Sequence, residues 1–244
     1  MYTFSGKKIL FVGDSHMRGL ADLFLYHVCE FQIPHLTWNQ SYLNLDEGHT
    51  QPRASYLQIP LLQKSANAFL NNCNLPKSDP KCILFNQGCM GLTFAYMGAM
   101  YCQSRIAQYA AGFDYVIVNC GHHPAATSHY TYEVFRNSVT NMVTNFKRFN
   151  IERQTKLFWL QNTAQPLRQD DFTFYFKDWR TYHRLILFDA IAQSIFYQEH
   201  IDIKVLPAFH STLALFDKMC DCGHYAVSAK IPQLLGLLDA IYNT

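Results

Sequence analysis

An apolar run followed by a polar turn, close to the start of the chain, most constrains the fold. Residues 9–12 are Ile-Leu-Phe-Val, Gly13-Asp14-Ser15 follows, and apolar residues then recur at helical spacing to about Cys29. A nearly continuous apolar run is typical of a parallel strand that is buried on both faces. We therefore predict a strand, a turn and a helix, with Ser15 at the helix start, where backbone N–H groups favour negative charge.

The alternation of strands and helices continues along the chain. We predict further strands at 81–85, 115–118, 156–160 and 201–206, and helices at 61–70, 104–111, 132–149, 180–200 and 231–242. This alternation predicts a mostly parallel α/β sheet with helices on both faces, a three-layer α/β/α sandwich. Since no stretch of the 244 residues resembles a linker, we expect one catalytic domain over 1–244, which could be part of a longer chain.

Composition excludes several classes of protein. A hydrophobic content of 49% with 16% charged residues indicates a globular chain rather than a disordered one. A net charge of +2 is too small to indicate a nucleic-acid partner. No apolar run reaches the roughly 20 residues of a transmembrane helix, and no signal peptide is recognisable, so we expect no integral membrane segment in this sequence. The eight cysteines fit either a reduced core or disulfides, which leaves the compartment unknown.

Ser15 is the candidate nucleophile, and it requires a base because a serine hydroxyl is weakly nucleophilic by itself. His224 is the candidate base, and Asp221, three residues earlier, would orient its imidazole. The order Ser, Asp, His suits a parallel α/β enzyme. Arg18 would lie one helical turn from Ser15, where it could pair with Asp14 or bind a negatively charged acyl carrier. The alternative is that Asp14 and Ser15 only cap the helix.

An acyl-transfer site also needs donors for the oxyanion. The backbone N–H of Ser15 is one, and a glycine of the loop after residue 85, Gly88 or Gly91, is a candidate for the second. A third would come from the loop after residue 118, by side chain or backbone. Its candidates are Asn119, Gly121 and His122. In a parallel sheet these loops would all lie at the carboxyl ends of the strands, where such folds bind ligands.

A metal site is the competing chemical interpretation. Cys220, Cys222 and His224 form a C-x-C-x-H pattern, which His122-His123 or His210 could complete. Zinc sites usually space their cysteines as C-x₂₋₄-C instead. We therefore expect neither a metal nor a cofactor.

The three motifs together resemble the SGNH/GDSL hydrolase superfamily. The residues that carry the likeness are Gly13-Asp14-Ser15, Asn119-Cys120-Gly121-His122 and Asp221-Cys222-Gly223-His224. Residues 11–18, with Arg18 three positions after Ser15, are similar to the G-D-S-x-x-R opening of the PC-esterase branch. This branch contains trichome-birefringence-like polysaccharide acetyltransferases and lumenal glycan O-acetyltransferase domains. The superfamily's Gly-x-Asn is absent here, since Gly121 is followed by two histidines; the branch also lacks that Asn.

The resemblance implies a flavodoxin-like sheet and acyl transfer through an acyl-Ser15 intermediate. It implies a glycan or polysaccharide substrate carrying acetyl or other acyl esters, with an acyl donor if the enzyme is an O-acetyltransferase rather than an O-acetylesterase. It also implies the lumen of the secretory pathway or the extracellular space. Two other hypotheses are a non-catalytic glycan-binding module and a metal-dependent hydrolase.

Overall fold

One six-stranded sheet organises the computed structural model, which describes residues 4, 6–28, 82–85, 92–165, 179–215 and 227–244. The strands are β1 Lys8–Gly13, β2 Cys82–Phe85, β3 Thr93–Gly98, β4 Tyr115–Val118, β5 Lys156–Leu160 and β6 Ile203–Leu206. Their order in the sheet is β2-β3-β1-β4-β5-β6, and all adjacent pairs are parallel except β2 with β3. The five parallel strands follow the flavodoxin-like order, second, first, third, fourth, fifth.

Helices cover both faces of the sheet. They are α1 Ser15–Val28, α2 Ile106–Ala110, α3 His122–Ala126, α4 Tyr132–Arg148, α5 Ile151–Gln154, α6 Tyr182–Gln198, α7 Phe209–Leu213 and α8 Val227–Tyr242. Successive residues of a strand face opposite sides of the sheet. In β1, accordingly, Ile9 and Phe11 pack in one core cluster with α1 and α8, while Leu10 and Val12 pack in another with α4 and α6. The three-layer α/β/α sandwich is confirmed.

Buried apolar patterns predict most of these elements well. Strands β4 and β5 have the predicted bounds, and the predicted stripe on α4 is fully buried. That stripe consists of Phe135, Val139, Met142, Val143 and Phe146. Helix α8 begins at Val227, four residues before the predicted start. The helix expected at 61–70 lies outside the described residues. Within the described ranges, no helix is long and apolar enough to cross a membrane.

The direction of β2 corrects one sequence-based expectation. Strand β3 was not predicted, and it lies between β1 and β2. Since β2 runs antiparallel to β3, Phe85 at its end pairs with Phe94, which pairs in turn with Ile9 at the start of β1. Strand β2 therefore ends at the amino-terminal edge of the sheet, and the expectation that it ends at the carboxyl edge beside Ser15 is wrong. Gly88 and Gly91 themselves lie outside the described residues.

The strand order also locates the place where a ligand would bind. Strand β1 has β3 on one side and β4 on the other. The direction in which successive parallel strands are added to the sheet therefore reverses between β1 and β4. In open α/β sheets the crevice at the carboxyl ends of such strands is the usual ligand site. The turn at Gly13–Ser15 and the loop from Asn119 lie at this crevice.

Candidate active site

The turn from β1 into α1 is held from both sides. The Asp14 carboxylate is buried, and its Oδ1 accepts a hydrogen bond from the His16 backbone N–H at 2.9 Å. The Tyr96 hydroxyl lies 3.0 Å from the carbonyl oxygen of Gly13 and 2.9 Å from that of Asp14. Asp14 thus caps the helix, and Ser15 is its first residue. The Ser15 N–H is one of the first four in the helix, which have no acceptor within it.

Close packing of three loops explains why glycine precedes Asp14. A Cβ on Gly13 would lie 2.6 Å from the Met17 Cβ and 2.8 Å from the Asn119 carbonyl oxygen. The Gly13 carbonyl accepts from the Ala99 N–H at 2.8 Å, which joins the loop after β3 to this turn. A Cys102–Cys120 disulfide links the same loop to the loop after β4.

Sequence reasoning missed this loop at residues 99–102, because it did not predict β3. Gly98 lies level with Gly13 at the carboxyl edge of the sheet. The available signal was Gly98 at the end of the aromatic run Phe94-Ala95-Tyr96. The loop after β3 therefore flanks the turn that carries Ser15.

Asn119 does not have the side-chain geometry expected of an oxyanion donor. Its side chain is buried, and its amide nitrogen donates to the Leu160 carbonyl at 2.8 Å and to the Asn162 Oδ1 at 3.4 Å. Both amide hydrogens are thereby engaged in joining β4 to the chain after β5. The side chain is committed to these contacts, and an oxyanion donor from the loop after β4 stays a prediction.

The two adjacent histidines have different environments. His122 is buried, and its ring centre lies 4.1 Å from that of His16. His123 is 40% exposed, and its Nε2 lies 3.9 Å from Asp14 Oδ2. Gly121, the residue before them, packs so closely against Asn162 that a Cβ would lie 2.6 Å from the amide nitrogen. His122 and Gly121 therefore lie at the predicted edge of the sheet.

A threonine and an arginine that sequence reasoning missed complete the histidine cluster. Thr163 Oγ1 lies 3.3 Å from His16 Nδ1 and 3.4 Å from His122 Nε2, and Arg180 Nη1 lies 3.3 Å from His122 Nδ1. Thr163 is buried and comes just after β5. No motif marks it or Arg180, because only the strand order brings them beside residues 16 and 122.

Arg18 lies on the second turn of α1 and is partly buried. Its backbone N–H donates to the Asp14 carbonyl, as α-helical geometry requires. The Asp14 Oδ2 atom lies 3.9 Å from His123 Nε2. Arg18 as a partner of Asp14 or of an acyl carrier stays a prediction.

A second polar network joins α6 to the end of β5. Asp189 on α6 is buried, and it accepts hydrogen bonds from Trp159 Nε1 at 3.0 Å and from the Asn162 backbone N–H at 2.9 Å. Burial raises the pKa of Asp189 to about 7, although these hydrogen bonds oppose the shift. Asn162 connects this network to Asn119.

The segment that carries Asp221 and His224 lies outside the described residues, and so does the position of the Ser15 hydroxyl. Its flanks are described. Leu215, just after α7, packs against Ala229 on the first turn of α8. The neighbouring Lys230 is buried, and its Nζ occupies the space that a Cβ on Gly19 would need. The start of α8 thus lies against α1 one helical turn beyond Ser15.

The cysteines of the competing metal hypothesis, Cys220 and Cys222, also lie outside the described residues. Among the parts of the chain that the structure describes, no group of three His, Cys, Asp or Glu side chains could hold a metal ion.

Several solved structures are similar to this chain in overall structure. One is a lipase/acylhydrolase from Enterococcus faecalis (13% identity, TM-score 0.49, 97% of this chain and 94% of that chain covered). Another is Est24, a carbohydrate acetylesterase from Sinorhizobium meliloti (12%, 0.43, 63% and 79%). A third is a DUF4886 family protein from Bacteroides uniformis (12%, 0.49, 98% and 83%). No protein-family model and no curated protein matches the chain. At such low scores and identities, we build no inference on these similarities.

Proposed function

We propose that this chain is a serine acyl-transfer enzyme of the SGNH type, an O-acetylesterase or O-acetyltransferase that acts on carbohydrate esters. The supporting observation is that Lys230, six residues after His224, packs against Gly19, one helical turn after Ser15. Three peptide steps separate His224 from Val227, and an extended chain spans about 3.5 Å per residue. In this proposal His224 lies beside the turn that carries Ser15.

The proposed reaction has two halves. His224, oriented by Asp221, removes the proton of the Ser15 hydroxyl, whose oxygen attacks the ester carbonyl carbon. The carbon–oxygen bond to the sugar then breaks, and His224 gives its proton to the departing hydroxyl. In the second half, His224 deprotonates water or an acceptor hydroxyl, whose oxygen attacks the acyl-Ser15 carbonyl carbon. The ester bond to Ser15 then breaks, and His224 returns the proton to the serine oxygen.

The start of α1 supplies the electrostatic stabilisation in this proposal. The Ser15 N–H and the positive end of the 14-residue helix favour the negative charge of the tetrahedral intermediate. A second backbone donor would come from the loop at 99–102, because it hydrogen-bonds to Gly13 and is tied to the Gly121 loop by the Cys102–Cys120 disulfide. A disulfide at this position also fits the oxidising lumen or exterior that the family resemblance implies.

Substitution of the triad residues tests the proposal on p-nitrophenyl acetate and on an acetylated xylo-oligosaccharide. Ser15→Ala and His224→Ala should each lower kcat by about 10³-fold or more, because the nucleophile and its base act as a unit. A fluorophosphonate probe should label the wild type. It should label the His224→Ala variant weakly or not at all, and it should not label Ser15→Ala.

Ser128→Ala and His129→Ala are matched controls, since both residues are exposed in the loop after α3. They should retain wild-type rates. Wild-type activity in Ser15→Ala would contradict the mechanism, and an inert wild type that binds acetylated glycan would favour a glycan-binding module. Activity that disappears with a chelator and returns with zinc would favour the metal-dependent alternative.

A further inference from the structure

The Cys102–Cys120 disulfide connects the two strands on either side of β1. Cys102 lies in the loop after β3 and Cys120 in the loop after β4, and β1 lies between these strands in the sheet. Strands two positions apart in a sheet are separated by about 9.6 Å. The two Cα atoms are only 5.1 Å apart, so the loops converge at the carboxyl end of β1, where the turn that carries Ser15 begins.

Both of these loops also contact the turn directly. The Ala99 N–H donates to the Gly13 carbonyl at 2.8 Å, and the Asn119 N–H donates to the Val12 carbonyl at 2.9 Å. The Asn119 carbonyl oxygen packs so closely that a Cβ on Gly13 would lie 2.8 Å from it. A displacement of either loop therefore changes the contacts that hold this turn.

The disulfide is the covalent contact among those that hold the loop after β3. Both cysteines are buried in the core cluster that contains α4 and α6, on the face of the sheet opposite α1. The loop is also held by the Ala99 hydrogen bond and by stacking of Tyr101 on Tyr130, whose ring centres are 5.1 Å apart. Met100 is 47% exposed, so little core packing restrains this part of the loop. Hydrogen bonds and ring contacts open in local fluctuations, whereas the disulfide persists until a thiol reduces it.

We infer that Cys102 and Cys120 are positioning residues, whose disulfide holds the loop after β3 against the turn that carries Ser15 and makes acyl transfer depend on oxidation of this pair. The catalytic consequence rests on the proposed function, in which this loop supplies the second backbone donor to the oxyanion. Displacement of such a donor slows the reaction, because its stabilisation of the transition state depends on a fixed geometry. Formation of the bond oxidises two thiols. A disulfide oxidant such as glutathione disulfide accepts the two electrons and two protons and becomes two thiols.

Peptide mapping tests the bond itself. Trypsin cleaves at Arg105, between the two cysteines, so protein alkylated without reduction should release the peptide 82–105 linked to the peptide 106–136. Cys120 is the single cysteine of the second peptide, and fragment ions of the first assign Cys102 among its three cysteines. An alkylated Cys120, or a link from it to another cysteine, would overturn the inference.

Alanine substitutions test the catalytic consequence. Cys102→Ala, Cys120→Ala and the double variant should each lower kcat for p-nitrophenyl acetate about tenfold to a hundredfold, with little change in KM. The three losses should be equal, because removal of either sulfur breaks the same bond. Wild type in which the pair has been reduced should show the same loss, and glutathione disulfide should restore kcat. A loss in the double variant equal to the product of the two single losses would contradict the inference.

Ile151→Ala is the matched control for lost stability. This residue is buried in the same core cluster, but it precedes the start of β5, at the opposite edge of the sheet from Ser15. The cavity should lower the urea midpoint, as loss of the disulfide does, yet kcat should stay within about twofold of wild type. Ile151→Val takes its place if the larger truncation does not fold. Equal losses of kcat at equal urea midpoints would refute the positioning role.

Hydrogen exchange tests the position of the loop without any measurement of activity. In the double cysteine variant, the Ala99 amide should exchange at least about tenfold faster, relative to the amides of β4, than in wild type. In Ile151→Ala all of these amides should accelerate together. Unchanged relative exchange of Ala99 would overturn the inference. An inactive wild type with the expected peptide map and exchange would instead refute the proposed function alone.

Discussion

Two polar networks contain adjacent residues, Asn162 and Thr163, and differ in the elements that they join. The histidine cluster, which we define as Arg180, His122, Thr163 and His16, includes Thr163 and the residue next to the candidate nucleophile. We define the Asp189 network as Asp189, Trp159, Asn162 and Asn119. It includes Asn162, the residue before Thr163, and joins α6 to β5 and to the loops after β4 and β5. Neighbouring side chains after β5 thus face two different sites.

The difference lies in the groups that close each network. The histidine cluster contains a partly buried arginine, which can only donate, and its other members are imidazoles and a hydroxyl, which can donate or accept. The Asp189 network ends in a buried carboxyl group that accepts from an indole and a backbone N–H, joining α6 to β5. We therefore expect perturbation of the first network to appear in catalysis and perturbation of the second to appear in stability.

The pH dependence of stability should show the largest effect. The folded-state pKa of Asp189, about 7, lies above its ordinary value of 3.8. The folded protein thus binds the proton more tightly, and stability should fall as pH rises from about 4 to 7. A shift of this size corresponds to a change on the order of 4 kcal/mol.

Asp189→Asn removes this titration, so urea unfolding of the two proteins from pH 4 to 8 isolates its contribution. The stability of the wild type minus that of the variant should decrease across this range. Asp202→Asn, at an exposed site, should leave the wild-type profile unchanged. Parallel curves for wild type and Asp189→Asn would remove Asp189 from the explanation.

A methyl group between the two networks should have an intermediate effect. In Gly121→Ala, the new Cβ would overlap the Asn162 amide and displace either this residue or the loop that carries His122. We expect a loss of about 1–3 kcal/mol in the free energy of unfolding, measured in urea. Gly236→Ala is the matched control, because nothing lies within 4 Å of the added Cβ on α8. It should be neutral or slightly stabilising; equal losses in both variants would refute the close-packing argument.

Removal of one hydroxyl from the Ser15 turn should have the smallest effect. Tyr96→Phe deletes the group that contacts the Gly13 and Asp14 carbonyls, at a cost of about 1 kcal/mol in stability. Because this turn orients Ser15, we expect kcat on p-nitrophenyl acetate to fall more than Tm suggests. Tyr197→Phe, at a residue that is 84% exposed, should alter neither quantity. A loss confined to stability would assign Tyr96 to the scaffold and not to the site.

Sequence patterns predicted the parallel part of the sheet because its strands are buried on both faces. Residues 115–118 and 156–160 are continuous or nearly continuous apolar runs, and both form strands with the predicted bounds. The fold class followed from their alternation with helices. Strand β3 was missed, since Ala95 and Gly98 are weak strand formers.

The site was predicted in part. Ser15 and His122 lie at the carboxyl edge because each directly follows a predicted strand. Asn119 follows a strand too, yet its amide donates across to Leu160, and spacing along the chain carries no information about that orientation. Arg180 and Thr163 belong to no motif, and the Ser15–Asp221–His224 triad stays a prediction.

The sequence by itself determined most of the strands and longer helices, and which residues begin α1, because burial periodicity and helix capping are local. Only the tertiary structure decided that β2 runs antiparallel, that the loop after β3 flanks the turn that carries Ser15, and that Arg180 contacts His122. These depend on which strands pair and on which distant groups meet at the edge of the sheet. Hydrogen-bond direction between such groups is a property of their contact in space, which no spacing along the chain encodes.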